Sequence, residues 1–329
     1  MINSTKHADI IKRAALRHGV SPHVHKDDFI FRFLASHPSF KDTGAAIDYY
    51  FDDGARSCEK LRSLVSQYLP EESQSITILE FASGYGCVSR HLIREGRFDV
   101  TASDIHPSAM DFLASKFGMK TLQSAHIPEE FHCPSNFDVC FALSFFSHMP
   151  NLTWSRWLNV LIKTVRPGGI LIFTTHGLTS AAKCFGNPEL SDAGFWFKPE
   201  SEQADLDTTE YGQTIVAPDF VFQKLSEIKE ALPTFFQTGY WWEHQDIYVV
   251  RRADKAGRTE HALTAALQDT HAEIQIELAE ARRRLVMAEA QYATVVQRVT
   301  ALESSTSWRI TAPLRALVHT LRRIRSVEP

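Results

Sequence analysis

Two carboxylates and three histidines stand where this 329-residue chain could do chemistry. Glu80 lies in a short apolar run, Ile78-Leu79-Glu80-Phe81, which leads into the small-residue stretch Ala82-Ser83-Gly84-Tyr85-Gly86 and then a helix-forming segment. Glycines let the backbone approach a ligand where a Cβ would not fit. The helix start offers unpaired N–H groups to a polar ligand. A carboxylate before such a loop is unsuited to a diphosphate but suits a cation. Asp104 closes a second run, Val100-Thr101-Ala102-Ser103-Asp104. It follows Glu80 at about the 20-residue spacing expected between a glycine loop and a ribose-binding acid. His148, His176 and His244 each follow or adjoin a later apolar run. Histidine is the side chain best suited to taking a proton near neutral pH.

The elements needed to position these residues are readable from the pattern. After Asp104, a helix is expected from Pro107-Ser108, with Met110, Leu113 and Phe117 on one face. Lys120-Thr121-Leu122-Gln123 reads as a weak third strand, and Phe137 to Leu143 as a fourth. A helix over 154–164 meets the turn Arg166-Pro167-Gly168-Gly169, and a fifth strand runs from Ile170 to Thr175. Strands alternating with helices argue a parallel sheet covered on both faces. Ligands in such sheets sit beyond the C-terminal strand ends. Glu80, Asp104, Ser144 and His176 occupy such ends. A strand over 245–250 closes the pattern.

Segment 78–90 resembles motif I of class I S-adenosylmethionine methyltransferases, with Glu80 at the acidic position and Ala82 where that family often has its first glycine. Phe-Asp opening the fourth strand and Arg-Pro-Gly-Gly before the fifth extend the resemblance over about residues 45–252. It implies an α/β fold with a Rossmann-like seven-stranded sheet, helices on both faces and an antiparallel last strand. It also implies S-adenosylmethionine as cofactor, held by Glu80, Ala82, Gly84, Gly86, Asp104, Ser124 and Ser144. Glu80 would bind near the methionine amino group and Asp104 the ribose. Ser124 stands where the family often has an acid contacting adenine. The base is expected among His176, His148 and His244. Residues 178–246, rich in aromatics, would hold the acceptor, with Glu202, Gln203 and Tyr211 as candidates for sugar hydroxyls.

Composition narrows the classes. With 44% hydrophobic and 22% charged residues, the chain can bury a sizeable core. A net charge of −4 gives no overall nucleic-acid footprint. The five cysteines are scattered without metal-ligand spacing, so no metal and a reducing, cytoplasmic compartment are expected. No apolar run approaches the ~20 residues of a membrane span.

Four regions follow: a helical N-terminal cap over 1–70, the methyltransferase-like domain over 71–252, a coiled coil over 253–304 and a basic tail over 305–329. The coiled coil rests on a seven-residue repeat through Leu267, Ile274, Ala281, Ala288, Val295 and Leu302, interleaved with His271, Leu278, Leu285, Tyr292 and Val299. Self-association through it is expected. The tail sets Arg309, Arg315, Arg322, Arg323 and Arg325 against Glu328, with Trp308 on an amphipathic pattern. Such a helix suits an anionic membrane surface or a protein partner. The run 304–315 resembles a tail found after coiled coils in bacterial glycosyltransferases and related surface-polysaccharide enzymes. That implies work beside a glycosyltransferase at the inner membrane.

The reading that joins these features is O-methylation of a sugar hydroxyl in a glycan or in its lipid-linked or nucleotide-linked precursor. Ala142-Leu143-Ser144-Phe145 is not the Asn/Asp-Pro-Pro-aromatic sequence used for exocyclic base amines. It also lacks the acid of Mg²⁺-assisted catechol chemistry. An NAD-binding oxidoreductase is disfavoured, because Gly84-x-Gly86-x-x-Ser89 starts late and follows a carboxylate. A non-catalytic scaffold with this fold is the remaining alternative.

Overall fold

The computed structural model describes residues 5–69, 75–133, 136–201, 203 and 205–253. In the C-terminal region it describes 283, 287, 292, 295–296 and 298–301. Contacts divide the chain into two units, Met1–Gln275 and Ile276–Pro329.

The first unit begins with three helices, α1 (Thr5–His18), α2 (Phe29–Ser36) and α3 (Thr43–Tyr68). The Asp28 carboxylate accepts from Phe31 N–H and caps α2; Asp42 accepts from Ala45 N–H and caps α3. α3 carries a glycine, Gly54, in its middle. Gly54 is there for packing. A Cβ on it would lie 2.2 Å from the Cys87 carbonyl oxygen and 2.9 Å from the His91 ring. The helix therefore crosses almost in contact with the chain that follows the glycine loop.

The central elements then follow in order: β1 (Ile76–Phe81), α4 (Ser89–Leu92), β2 (Phe98–Asp104), α5 (Pro107–Phe117), β3 (Lys120–Gln123), β4 (Phe137–Ala142), α6 (Asn151–Thr164) and β5 (Val165–His176). After them come α7 (Leu178–Cys184), β6 (Phe195–Lys198), β7 (Gln213–Val216), α8 (Pro218–Ser226), β8 (Ala231–Trp241) and β9 (Gln245–Arg252). Seven strands form one sheet in the order β3-β2-β1-β4-β5-β9-β8. The first five are mutually parallel, and β9 runs antiparallel to both neighbours. This is the Rossmann-like seven-stranded sheet expected above. Strand order reverses between β1 and β4, the switch point where such sheets bind ligands.

Alternate residues on each strand feed opposite layers. Leu79, Cys140, Leu171 and Tyr248 join one core with Trp154, Leu158 and Leu161 of α6. Ile78, Val139, Ile170 and Val249 join the other with Leu61 and Leu64 of α3 and Leu113 of α5. Two family-like motifs meet in space: Asp138 accepts from the Thr77 N–H at 2.8 Å and from Arg166 Nε at 2.6 Å.

Two segments differ from the sequence reading. Residues 231–241, grouped with the acceptor insertion, form the edge strand β8. Pro233 and Gly239 obscured it, and proline is tolerated at an edge. The Arg-Pro-Gly-Gly segment opens β5 with an irregular register rather than forming a free turn. The insertion also contributes a two-stranded sheet, β6-β7, that the pattern did not suggest.

In the second unit, Met287, Tyr292, Val295, Val296 and Val299 are helical and exposed. Tyr292, Val295 and Val299 belong to the repeat noted above. The rest of that repeat and the basic tail lie outside the described residues. Among the described residues no helix is long and apolar enough to cross a membrane.

Candidate cofactor and acceptor site

The loop after β1 is shaped by backbone conformation. Ala82, Gly84 and Gly86 all take positive φ, at 58°, 54° and 82°. For an L-residue this costs roughly 1–2 kcal/mol, so Ala82 keeps the conformation of a glycine at a price in strain. The two glycines have different reasons. A Cβ on Gly86 would meet Leu113 at 2.6 Å and Phe117 at 3.0 Å. Gly86 thus lets the loop press against α5, and it does not line the cleft. Its expected place at the cofactor rests on motif position. Gly84 lines the cleft, and a Cβ on it would meet nothing within 4 Å. That is an open cradle over bare backbone.

The two carboxylates flank this cradle. Glu80 is buried, and its Oε2 accepts from Ser89 Oγ at 2.5 Å. Burial lifts its pKa to about 8, with the nearby Asp104 adding and Ser89 opposing. Among the described residues no cation pairs with it, so the site favours a cationic group there. Asp104 Oδ2 accepts from Gly84 N–H at 2.8 Å. Its Oδ1 accepts from His106 N–H at 3.0 Å and from the His106 ring Nδ1 at 2.7 Å. A carboxylate offers about four acceptor positions; three are taken here, so about one remains for a ligand hydroxyl. Asp104 therefore binds the loop to β2 as well as facing the cleft. The Asp104 hydrogen bond raises the pKa of His106, whose Nε2 lies 3.2 Å from Asp205 Oδ2.

These residues open into one cleft of about 2250 Å³. Glu80, Ala82, Gly84, Asp104, Ser124, Ser144, His148, His176 and His244 line it. Ser124 N–H donates to the Asp104 carbonyl. Ser144, at φ 58°, donates its N–H to Thr174 Oγ1, and its Oγ accepts from Gln245 Nε2. Thr174 Oγ1 in turn donates to Gln245 Oε1, so a buried network fixes the ends of β4, β5 and β9.

The three histidines form a row. Ring centroids are 6.2 Å apart for His148–His176 and 5.9 Å for His176–His244. His148 Nδ1 donates to the Gly212 carbonyl at 2.8 Å, which leaves Nε2 as its unprotonated nitrogen. Its ring stacks on Tyr211 at 4.4 Å. Burial lowers its pKa to about 4, against the Gly212 hydrogen bond. Ser180 Oγ donates to the His244 carbonyl at 2.7 Å and so accepts from His244 Nδ1 at 3.1 Å. His244 is thereby also set with Nε2 free of a proton. Burial, then Lys183, lowers its pKa. Burial, then His148 and His244, pushes His176 well below the ordinary range, and its buried Nδ1 has no hydrogen-bond partner of normal geometry. All three rings are neutral at pH 7.

Gln203 Nε2 donates to Tyr211 Oη at 3.2 Å, and both line the cleft. Glu202 lies outside the described residues. Several residues escaped the sequence reading. His106 could have been found from its position two residues past Asp104, just before a Pro-initiated helix. Arg90 carried no local signal. It is fully buried, donates to the Gly86, Ser21 and His23 carbonyls and to Tyr50 Oη, and so ties the loop to the N-terminal cap. Tyr50 Oη passes the chain on to Asp28 at 2.7 Å.

With this geometry established, comparison with known families is informative. Residues 79–171 match the methyltransferase domain family. The matched span runs from β1 through most of β5 and contains the loop, Asp104 and Ser144. Over this span the chain is similar to a methyltransferase domain. A comparison with curated proteins gives no match. Among solved structures, a SAM-dependent methyltransferase from Methanosarcina mazei is 16% identical, covering 58% of this chain and 97% of its own, with a TM-score of 0.45. The 1,6-didemethyltoxoflavin-N1-methyltransferase of Burkholderia thailandensis is 16% identical over 63% of this chain and 82% of its own, with a TM-score of 0.44. The glycopeptide N-methyltransferase MtfA, complexed with sinefungin, is 14% identical over 61% and 87%, with a TM-score of 0.45.

Proposed function

We propose that the chain is an S-adenosylmethionine-dependent O-methyltransferase acting on a sugar hydroxyl of a bacterial surface polysaccharide. One observation carries the reading. A single cleft holds an uncompensated buried carboxylate beside an open glycine cradle at the switch point, and a row of neutral histidines beyond it. Glu80 suits the cofactor's amino group, Gly84 its close approach, and Asp104 its ribose. When bound, the cofactor supplies a methyl group on an activated sulfonium leaving group. The protein's own task is to align the acceptor and remove its proton. The sugar assignment is supported by the tail resemblance over 304–315 and by the polar and aromatic character of the cleft.

Of the three histidines, His244 suits the base role best. Ser180 fixes its tautomer, and its pKa is lowered without the large drop seen at the other two. A base works best when its pKa lies near the working pH. The His244→Ala protein is expected to lose about 10²–10⁴ in kcat with unchanged cofactor affinity, while His148→Ala loses less than about tenfold. Transfer of labelled methyl to surface-glycan precursors measures both. A larger loss for His176→Ala than for His244→Ala would move the base to His176. Label entering no glycan fraction would overturn the sugar reading.

A further inference from the structure

The hairpin joining β8 to β9 is strained where glycine would relieve it. His244 N–H donates to the Trp241 carbonyl at 3.1 Å, closing a turn whose central residues are Trp242 and Glu243. Both take positive φ, 49° and 59°. Turns of this kind favour Asn-Gly, and a bulky residue at the first position is a genuine outlier. Such strain persists when something else requires the side chain.

The Trp242 side chain is held on purpose. Its Nε1 donates to Asp53 Oδ1 of α3 at 2.7 Å, and its ring lies parallel to His244 at 6.2 Å between centroids. The indole walls two cavities. One is the cleft described above. The other is a site of about 400 Å³, lined also by Tyr49, Ser57, Lys60 and Glu243. Tyr49 and Asp53 border both. In the smaller site Arg56 and Lys60 face Asp53 and Glu243. Two cations against two carboxylates leave no net charge for a phosphate or an ammonium ligand. Arg56 covers the Tyr49 ring and Lys60 the buried Trp241 ring, so the Trp242 ring, beside these balanced hydrogen-bonding groups, is the one suited to a neutral polyhydroxylated ring.

We propose that Trp242 is a sugar-stacking platform shared by two adjoining subsites, so that the acceptor is a glycan of at least two residues lying across it. This rests on the sugar-methyltransferase reading above. One sugar would sit in the cleft beside His244 and its neighbour in the smaller site. The platform and the base belong to the same short hairpin, so stacking sets the acceptor's distance from His244.

The test uses labelled methyl transfer from S-adenosylmethionine to surface glycan, partially hydrolysed and separated by length, beside a nucleotide-sugar fraction. Wild type is compared with Trp242→Asn and Trp242→Phe. Asparagine tolerates positive φ, so Trp242→Asn should fold with its Tm within about 2 °C of wild type and bind the cofactor equally in calorimetry. The expected result is that wild type prefers longer fragments, that Trp242→Asn loses that preference with about tenfold lower kcat/KM on them, and that Trp242→Phe recovers most of both. Equal rates on long fragments for wild type and Trp242→Asn would overturn the platform. So would label confined to nucleotide sugars. A wild type that binds cofactor but labels no glycan would instead remove the sugar reading on which the platform stands.

Discussion

Between pH 5.5 and 8.5, wild type should lose about 3 kcal/mol more stability than Glu80→Gln. The cause is the buried Glu80 carboxyl, whose pKa burial lifts to about 8. In the unfolded chain a glutamate titrates near 4.3. Between those values the folded state keeps a proton that the unfolded state has released, so stability falls as pH rises. Above about pH 8 that loss is complete. A glutamine cannot ionise and shows no such fall. Asp246, which burial lifts to about 7, contributes a fall of its own over a lower range in both proteins. Urea unfolding at the two pH values measures the difference. Parallel stability changes in wild type and variant would refute a buried, protonated Glu80. The same proton connects to function. A cationic amino group beside Glu80 favours its ionised form, so cofactor binding near pH 7 should release about one proton from wild type and none from Glu80→Gln. Affinity in the variant should fall about 100-fold, the usual consequence of removing one partner of a buried charge pair. Calorimetry in buffers of different ionisation enthalpy reads both quantities. Glu80 thus destabilises the free protein at the pH where it would serve the cofactor.

The second large effect is expected at Gly54→Ala. The added methyl would sit 2.2 Å from the Cys87 carbonyl oxygen. That oxygen is backbone, so relief requires α3 to move away from the segment after the glycine loop. Overpacking costs about 1–3 kcal/mol, and a contact this close on backbone belongs at the upper end. Helix propensity opposes it by only about 1 kcal/mol, since alanine is the better helix former. A net loss of about 2 kcal/mol should appear as a lower midpoint in urea. Cofactor affinity should fall with it, because Cys87 follows directly on Gly86, whose carbonyl Arg90 holds. A stabilised Gly54→Ala protein would mean that α3 does not pack as described.

The contrast between Gly54 and Glu80 shows what could be read before the fold was known. Glu80, Asp104 and the order of alternating strands were visible because each depends on local spacing and a period of two. The five parallel strands follow from that order, while the seven-stranded sheet was implied by the family resemblance. The role of Gly54 was not legible, since its reason lies 33 residues away in sequence at Cys87. Strand β8 was missed because Pro233, Gly239 and a run of aromatics mask alternation at a sheet edge. Gly86 was placed in the ligand surface by motif position alone. Its neighbours Leu113 and Phe117 come from α5, and no local rule reveals which side of a loop a helix will cover. The histidine row was only half legible. Its members could be named from strand ends, but their tautomers depend on the Gly212 carbonyl and on Ser180. Trp242 was visible only as one aromatic among many, because its distinguishing feature is a backbone angle.

The most direct test of the cofactor site is titration of S-adenosylmethionine into wild type, Asp104→Ala and Gly84→Asn by calorimetry. Asparagine tolerates the left-handed backbone at position 84 while placing a side chain in the open cradle. Binding to wild type, lost in both variants with their thermal unfolding preserved, is the expected result. Failure of folded wild type to bind, or undiminished binding by Gly84→Asn, would contradict a cofactor held over this loop.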